Sequence, residues 1–200
     1  MKKLLPLLLI TILGLTQACQ QNSNTDNADN THDHSQHQAL SDNQESTAKK
    51  PLSPRTTAMA NIGDTHVHID YSSPGVRGRT IWGGLVAFDQ VWVTGAHKAT
   101  SINFNKDVKI NGQTIKAGTY GFFTIPGKEK WTIILNENHE QHLADDYDES
   151  LDVIRVEVTP EDLAEKVESL TYQVVSAGEK KGQIDVMWDQ LKISLPIENI

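Results

Sequence analysis

Between residues 65 and 197 short apolar runs, the clearest of them with a period of two, recur between turn signals, and this constrains the fold more than any other feature. In THVHIDY (65–71), Val67, Ile69 and Tyr71 alternate with His66, His68 and Asp70. LDVIRVEV (151–158) sets Val153, Arg155 and Glu157 against Ile154, Val156 and Val158. Successive side chains of a strand point to opposite faces, so this spacing describes strands buried on one side. TSINFN, KDVKI, QTIKAG, TYGFFTI, KWTIILN, LTYQVV, QIDVMW and LKISLPI continue the set, and a strand is also expected over 91–94.

Turn chemistry separates these runs. SSPGVRGR carries Pro74, Gly75 and Gly78, Pro126-Gly127 follows TYGFFTI, and Asp189-Gln190 is read as a tight connection between the last two strands. Asn111-Gly112 is the dipeptide best suited to a two-residue hairpin, because both central positions need positive φ. One segment breaks the pattern. Thr159 precedes Pro160-Glu161-Asp162, and Leu163, Val167 and Leu170 recur at spacings of four and three. That spacing predicts a short amphipathic helix over 160–168, with Pro at its first position and acids in its first turn. About nine or ten short strands with one minor helix point to a mainly β domain. It would be an antiparallel β-sandwich or a Greek-key, barrel-like arrangement. Recurring crossover helices, which a parallel α/β sheet would need, do not occur.

The first 53 residues read differently. Met1-Lys2-Lys3 leads into LLPLLLITILGL, a basic start and an apolar run too short to span a bilayer but suited to a signal peptide over 1–18. Cys19, the only cysteine, follows Ala18 at the end of this run, where it resembles the lipidated first residue of a bacterial lipoprotein. Thr16 stands where Leu is usual, and Leu15 lies one place further back. Residues 19–53 are dominated by Asn, Asp, Gln, Ser and Thr and lack the apolar surface to offset ordering, so they are expected to be a disordered tether. Within it, His32, His34 and His37 could hold a transition metal only loosely. A single domain is expected over 54–200. It carries 14 basic against 21 acidic residues and no basic stripe, which argues against nucleic acid as a partner.

The runs DYSSPGVRGRTIWGGLVAFDQVWVTGAHKAT and INFNKDVKINGQTIKAGTYGFFTIPGKEKWTIILN resemble the DUF2911 family of bacterial envelope proteins. The resemblance rests on Tyr71-Ser72-Ser73-Pro74, Arg77-Gly78-Arg79, Ile81-Trp82-Gly83-Gly84, Val91-Trp92 with Thr94-Gly95-Ala96, and Lys116-Ala117-Gly118-Thr119-Tyr120. It implies the domain and no activity. His97 stands where the family tends to carry Asn.

Three sets of side chains have chemistry worth following. His66, His68 and Asp70 share one strand face, and imidazole with carboxylate suits a divalent transition metal such as Zn. Arg77 and Arg79 flank Gly78 in an acidic domain, and guanidinium captures carboxylate or phosphate in two-point fashion. Trp82, Trp92, Trp131 and Trp188 lie in apolar runs and are expected in the core; two of them exposed together would make a ligand groove. No nucleophile motif stands out: Ser72 and Ser73 lack the flanking glycines of a nucleophile elbow. The expectation is therefore a non-enzymatic binding or structural module, held to an envelope membrane by a lipid on Cys19. Its ligand would be a small anion, a glycan or a protein, with Arg77, Arg79, Trp82 and Trp92 as contacts. The alternative is a metal-dependent hydrolase or metal-handling protein built on His66, His68 and Asp70.

Overall fold

A computed structural model describes residues 51–200. The expected signal segment, Cys19, the histidine tract and most of the expected tether lie outside the described residues. Ten strands follow in order: β1 Arg55–Ile62, β2 Thr65–Ser72, β3 Ser101–Phe104, β4 Val108–Ile110, β5 Gln113–Ile115, β6 Gly118–Ile125, β7 Trp131–Asn136, β8 Asp152–Val158, β9 Glu161–Ser176 and β10 Lys181–Asn199. They form two antiparallel sheets, one in the order β1-β2-β3-β6-β7-β8 and the other β5-β4-β10-β9. The fold is a β-sandwich, not a closed barrel. The inward residues of the alternation make the core: Val67, Ile69, Ile102, Phe104, Phe122, Ile133 and Leu135 from the first sheet meet Ile184, Val186, Ile193, Leu195 and Ile197 from the second. The Asn111-Gly112 hairpin forms as expected, with φ of +49° and +80° joining β4 to β5.

The expected helix over 160–168 is absent; those residues belong to the start of β9. Between Thr171↔Met187 and Asp162↔Leu191, nine steps along β9 face four along β10. The register shifts on both sides of Asp189, where β10 reverses, and such shifts displace apolar side chains from strict alternation. This is why Leu163, Val167 and Leu170 mimic a helical spacing. Among the described residues the only helical turn is a 3-10 turn, Glu149–Leu151.

The Asp189-Gln190 connection does form, inside β10. Ser194 Oγ donates to Asp185 Oδ1 at 2.6 Å, and Asn199 N donates to Lys180 O at 2.9 Å. A straight strand, rising about 3.3 Å per residue, would hold Asp185 and Ser194 about 30 Å apart. β10 therefore folds back on itself at Asp189, whose φ is +54°. β1 escaped the sequence reading because Ala58 and Ala60, facing Ile69 and Val67, carry too little apolar bulk to register as a strand.

The strand expected over 91–94 reduces to one bridging pair, Trp92 with Thr124. The chain turns away at Thr94, which is fully buried at φ +48°. The rest of 73–100 is a long loop covering one end of the sandwich and the outer face of β6 and β7. There Val93 and Ala99 bury Phe123 and Ile134 in a second small core.

Residues 137–151 complete that cover, tied down by Asp152. Its Oδ2 accepts from Tyr147 OH and Arg155 Nε, both at 2.7 Å, and its Oδ1 accepts from Asn136 Nδ2 at 2.7 Å. Burial and the bond to Asp152 push the Tyr147 phenol up to about 12. A phenol whose folded pKa exceeds its ordinary 10.0 contributes stability that is complete below pH 10 and lost as pH rises toward 12. Thermal melts across that window should therefore fall more steeply for the native chain than for Tyr147→Phe.

Candidate functional site

All four tryptophans of the chain meet at one end of the sandwich. Trp131 opens β7, Trp188 stands just before the fold-back of β10, and Trp82 and Trp92 descend from the long loop. The Trp82 ring lies 4.8 Å from Trp131, 5.9 Å from Trp188 and 6.0 Å from Trp92, each edge to face. Trp92 stacks on Trp188 at 5.7 Å and 19°. These are favourable aromatic arrangements, worth about 0.5–1.5 kcal/mol per pair beyond area burial. Trp131 and Trp188 are 2% and 1% exposed, whereas Trp82 and Trp92 are half-buried. The core expectation thus holds for the inner pair, and the outer pair reaches the surface side by side.

The hydrogen bonding of this nest is unbalanced. Trp92 Nε1 donates to Gly95 O at 3.2 Å. The indole N–H groups of Trp82, Trp131 and Trp188 are buried and have no partner among the described residues. A buried donor left unpaired costs about 1–3 kcal/mol, so three in one cluster are not incidental to the site. The four rings, with Leu170, Val186, Leu191 and Ile193, line a cavity of about 10 Å³. Indole offers a donor and no acceptor. The space is about that of one water, which is an acceptor these donors could use.

The local sequence explains how Trp82 is presented. In Ile81-Trp82-Gly83-Gly84, Ile81 is buried and its carbonyl accepts from Val86 N at 2.9 Å, closing a tight turn. Gly83 has φ +73°, and a Cβ there would sit 2.8 Å from the Phe88 ring. At Gly84 a Cβ would lie 2.4 Å from Thr80 O. Neither position accepts a side chain without the turn opening and Trp82 shifting.

Arg77 and Arg79 lie at the same end but outside the lining of the tryptophan cavity; Arg77 lines a separate groove with Leu52 and Glu168. Arg79 Nη2 and Nε donate to Gly75 O and Val76 O, at 2.5 and 3.2 Å, and clasp their own loop. Arg77, exposed and at φ +49°, gives its backbone N–H to Glu168 Oε1 at 2.8 Å.

His66, His68 and Asp70 do project from one face of β2. His68 Nε2 lies 3.3 Å from Asp70 Oδ2, but His66 gives Nδ1 to Asn61 Oδ1 at 2.8 Å, and its ring is 6.3 Å from that of His68. His68 and Asp70 are close enough to share an ion at ligand distances of about 2.0–2.2 Å. Among the described residues no three His, Cys, Asp or Glu side chains converge, and this set lies on the open outer face of its sheet. The sequence reading missed a larger groove of about 460 Å³, lined by Ile110, Val156, Val158, Ser194 and Pro196. It opens where β8 and the returning half of β10 diverge. Pro196, a residue suited to an unpaired edge, was its only local signal.

A two-ligand surface pair predicts weak metal binding. Zn²⁺ added to the chain should be lost on desalting, with His66→Ala/His68→Ala indistinguishable from native; near-stoichiometric metal that the double variant loses would reverse this.

A family model described as a protein of unknown function, DUF2911, matches residues 53–197. The chain belongs to that family. No curated protein and no solved structure matches it.

Proposed function

We propose that this DUF2911 chain is a non-catalytic binding module of the cell envelope, exported by residues 1–18 and held to a membrane by lipid on Cys19. Its ligand contact is the Trp82–Trp92 surface over Trp131 and Trp188. The observation that carries the reading is the set of three buried indole donors without partners, on Trp82, Trp131 and Trp188, where the half-buried Trp82 and Trp92 rings reach the surface. Aromatic faces take the C–H side of a small sugar-like ligand, and donor-only chemistry favours one rich in acceptor oxygens, such as an acidic or acetamido-bearing glycan.

The four tryptophans report on their own site. Titration of the chain with soluble acidic and acetamido oligosaccharides should give saturable changes in tryptophan fluorescence and in the indole N–H resonances of Trp82, Trp131 and Trp188. Trp92→Phe, which keeps a ring packed on Trp188, should weaken binding severalfold, with near-UV circular dichroism certifying the fold. Resonances that stay fixed with every sugar would remove the ligand reading.

The anchor is tested separately. Cells supplied with a palmitate analogue should label the native protein and retain it in the membrane fraction. Cys19→Ala should abolish the label and release the protein from that fraction; labelling that survives the substitution would exclude the anchor.

A further inference from the structure

We propose that the end of the sandwich where the tether enters is a docking face for an anionic lipid surface. The inference rests on the membrane-tether reading for its biological setting and on charge placement for its chemistry.

The chain has four arginines, and three of them, Arg55, Arg77 and Arg79, lie at this one end. Arg55 opens β1 opposite Ser72, the last residue of β2, and Ser73 N donates to Pro54 O at 2.9 Å, which seats the entering chain against the Arg77 loop. Lys98 joins them, because Arg55 Nη1 donates to Lys98 O at 3.3 Å. All four cationic side chains belong to exposed residues. Lys49 and Lys50 immediately precede them in the sequence. The acids against them are Asp70, Glu168, Glu140, which lines a hollow with Lys98, and Asp145 on the neighbouring His142, in a domain whose 14 basic residues are outnumbered by 21 acidic ones.

How these charges are used separates them from most others. Lys106, Lys116, Lys130, Lys166, Lys192 and Arg155 each pair with a carboxylate. Arg55, Arg77, Arg79 and Lys98 form no ion pair among the described residues. Two of them are instead held in place by backbone carbonyls: Arg55 on Asp70 O at 3.1 Å, and Arg79 on Gly75 O. Carbonyls orient a guanidinium without neutralising it. Charge fixed and left unneutralised is what recognition of an anionic surface requires.

An apolar element sits among these cations. Leu52, 68% exposed, lines a shallow groove with Pro51, Pro54 and Arg77. An exposed leucine beside Arg77, in a groove that Glu168 also lines, suits the boundary between headgroups and acyl chains. The occupant is a lipid surface because the chain itself arrives here, at Pro51, from the lipid expected on Cys19. A domain seated this way carries the Trp82–Trp92 site, at the same end of the sandwich, close to the membrane.

The test uses residues 19–200 with Cys19→Ser, so that no anchor contributes. The protein is floated with vesicles of phosphatidylcholine alone or with one-third phosphatidylglycerol. Binding is expected to the anionic vesicles only, falling steeply as added salt shortens the screening length. Arg77→Glu/Lys98→Glu should reduce it at least fivefold, since each cation near such a surface contributes about that factor. Lys180→Glu/Lys181→Glu makes the same charge change at the opposite end, beside Gly63 and Asp64, and should leave binding unchanged. Near-UV circular dichroism of the tryptophan nest certifies the fold of both variants. Equal binding to both vesicles, equal loss in both variants, or competition by inorganic phosphate at matched ionic strength would overturn the proposal. Cys19→Ala labelling decides the anchor independently of any of these results.

Discussion

The carbonyl oxygen of Thr94 is the point on which the arrangement of this domain turns. It accepts two buried hydroxyls, Tyr172 Oη at 2.8 Å and Thr100 Oγ1 at 3.0 Å. Tyr172 belongs to β9 of the smaller sheet, whereas Thr100 leads into β3 of the larger one. Thr94 Oγ1 lies 2.9 Å from Thr124 Oγ1 on β6, and so ties the same residue to the larger sheet a second time. One residue of an irregular loop is thereby bonded to both layers. Burial holds the Tyr172 phenol well above its ordinary pKa, so it remains a neutral donor. The bonds keep a buried β-branched residue in a left-handed conformation that costs about 1–3 kcal/mol.

The tryptophan nest follows from that constraint. With Thr94 held, Trp92 bridges to Thr124 and lays its ring on Trp188, and the loop must cross the end of the sandwich with Trp82 pointing inward. Natural cores rarely leave indole donors unpaired, because the alternative of turning one ring toward a carbonyl is usually available. Here Trp92 takes that course with Gly95 and the other three do not. The unpaired donors and the half-exposed outer rings belong to one constellation, and a ligand with an acceptor oxygen would relieve both.

Much of this was legible in the residues. The period of two, the Asn111-Gly112 hairpin and the Asp189-Gln190 reversal all emerged in the sandwich, because each rests on local sterics that tertiary contacts reinforce. The helix over 160–168 failed for the opposite reason. A bulged strand and an amphipathic helix place apolar residues at similar intervals, and the backbone chooses between them by what lies alongside. Here β10 offers partners on both sides of its reversal at Asp189, and β9 takes them with register shifts between. Arg79 misled in a related way. Its placement beside Gly78 reads as a free guanidinium, yet the turn brings two carbonyls of its own loop within reach.

What the sequence determined by itself was therefore the class of fold, the positions of several turns and the family, since these depend on neighbours a few residues apart. It also determined the contrast between a polar stretch over 20–53 and a domain holding every aromatic residue, which is a matter of composition alone. The gathering of four tryptophans from positions 82, 92, 131 and 188, and of Arg55, Arg77, Arg79 and Lys98 at one end, was settled only in three dimensions. Sheet order and a loop pinned at Thr94 bring those residues together, and neither follows from spacing along the chain.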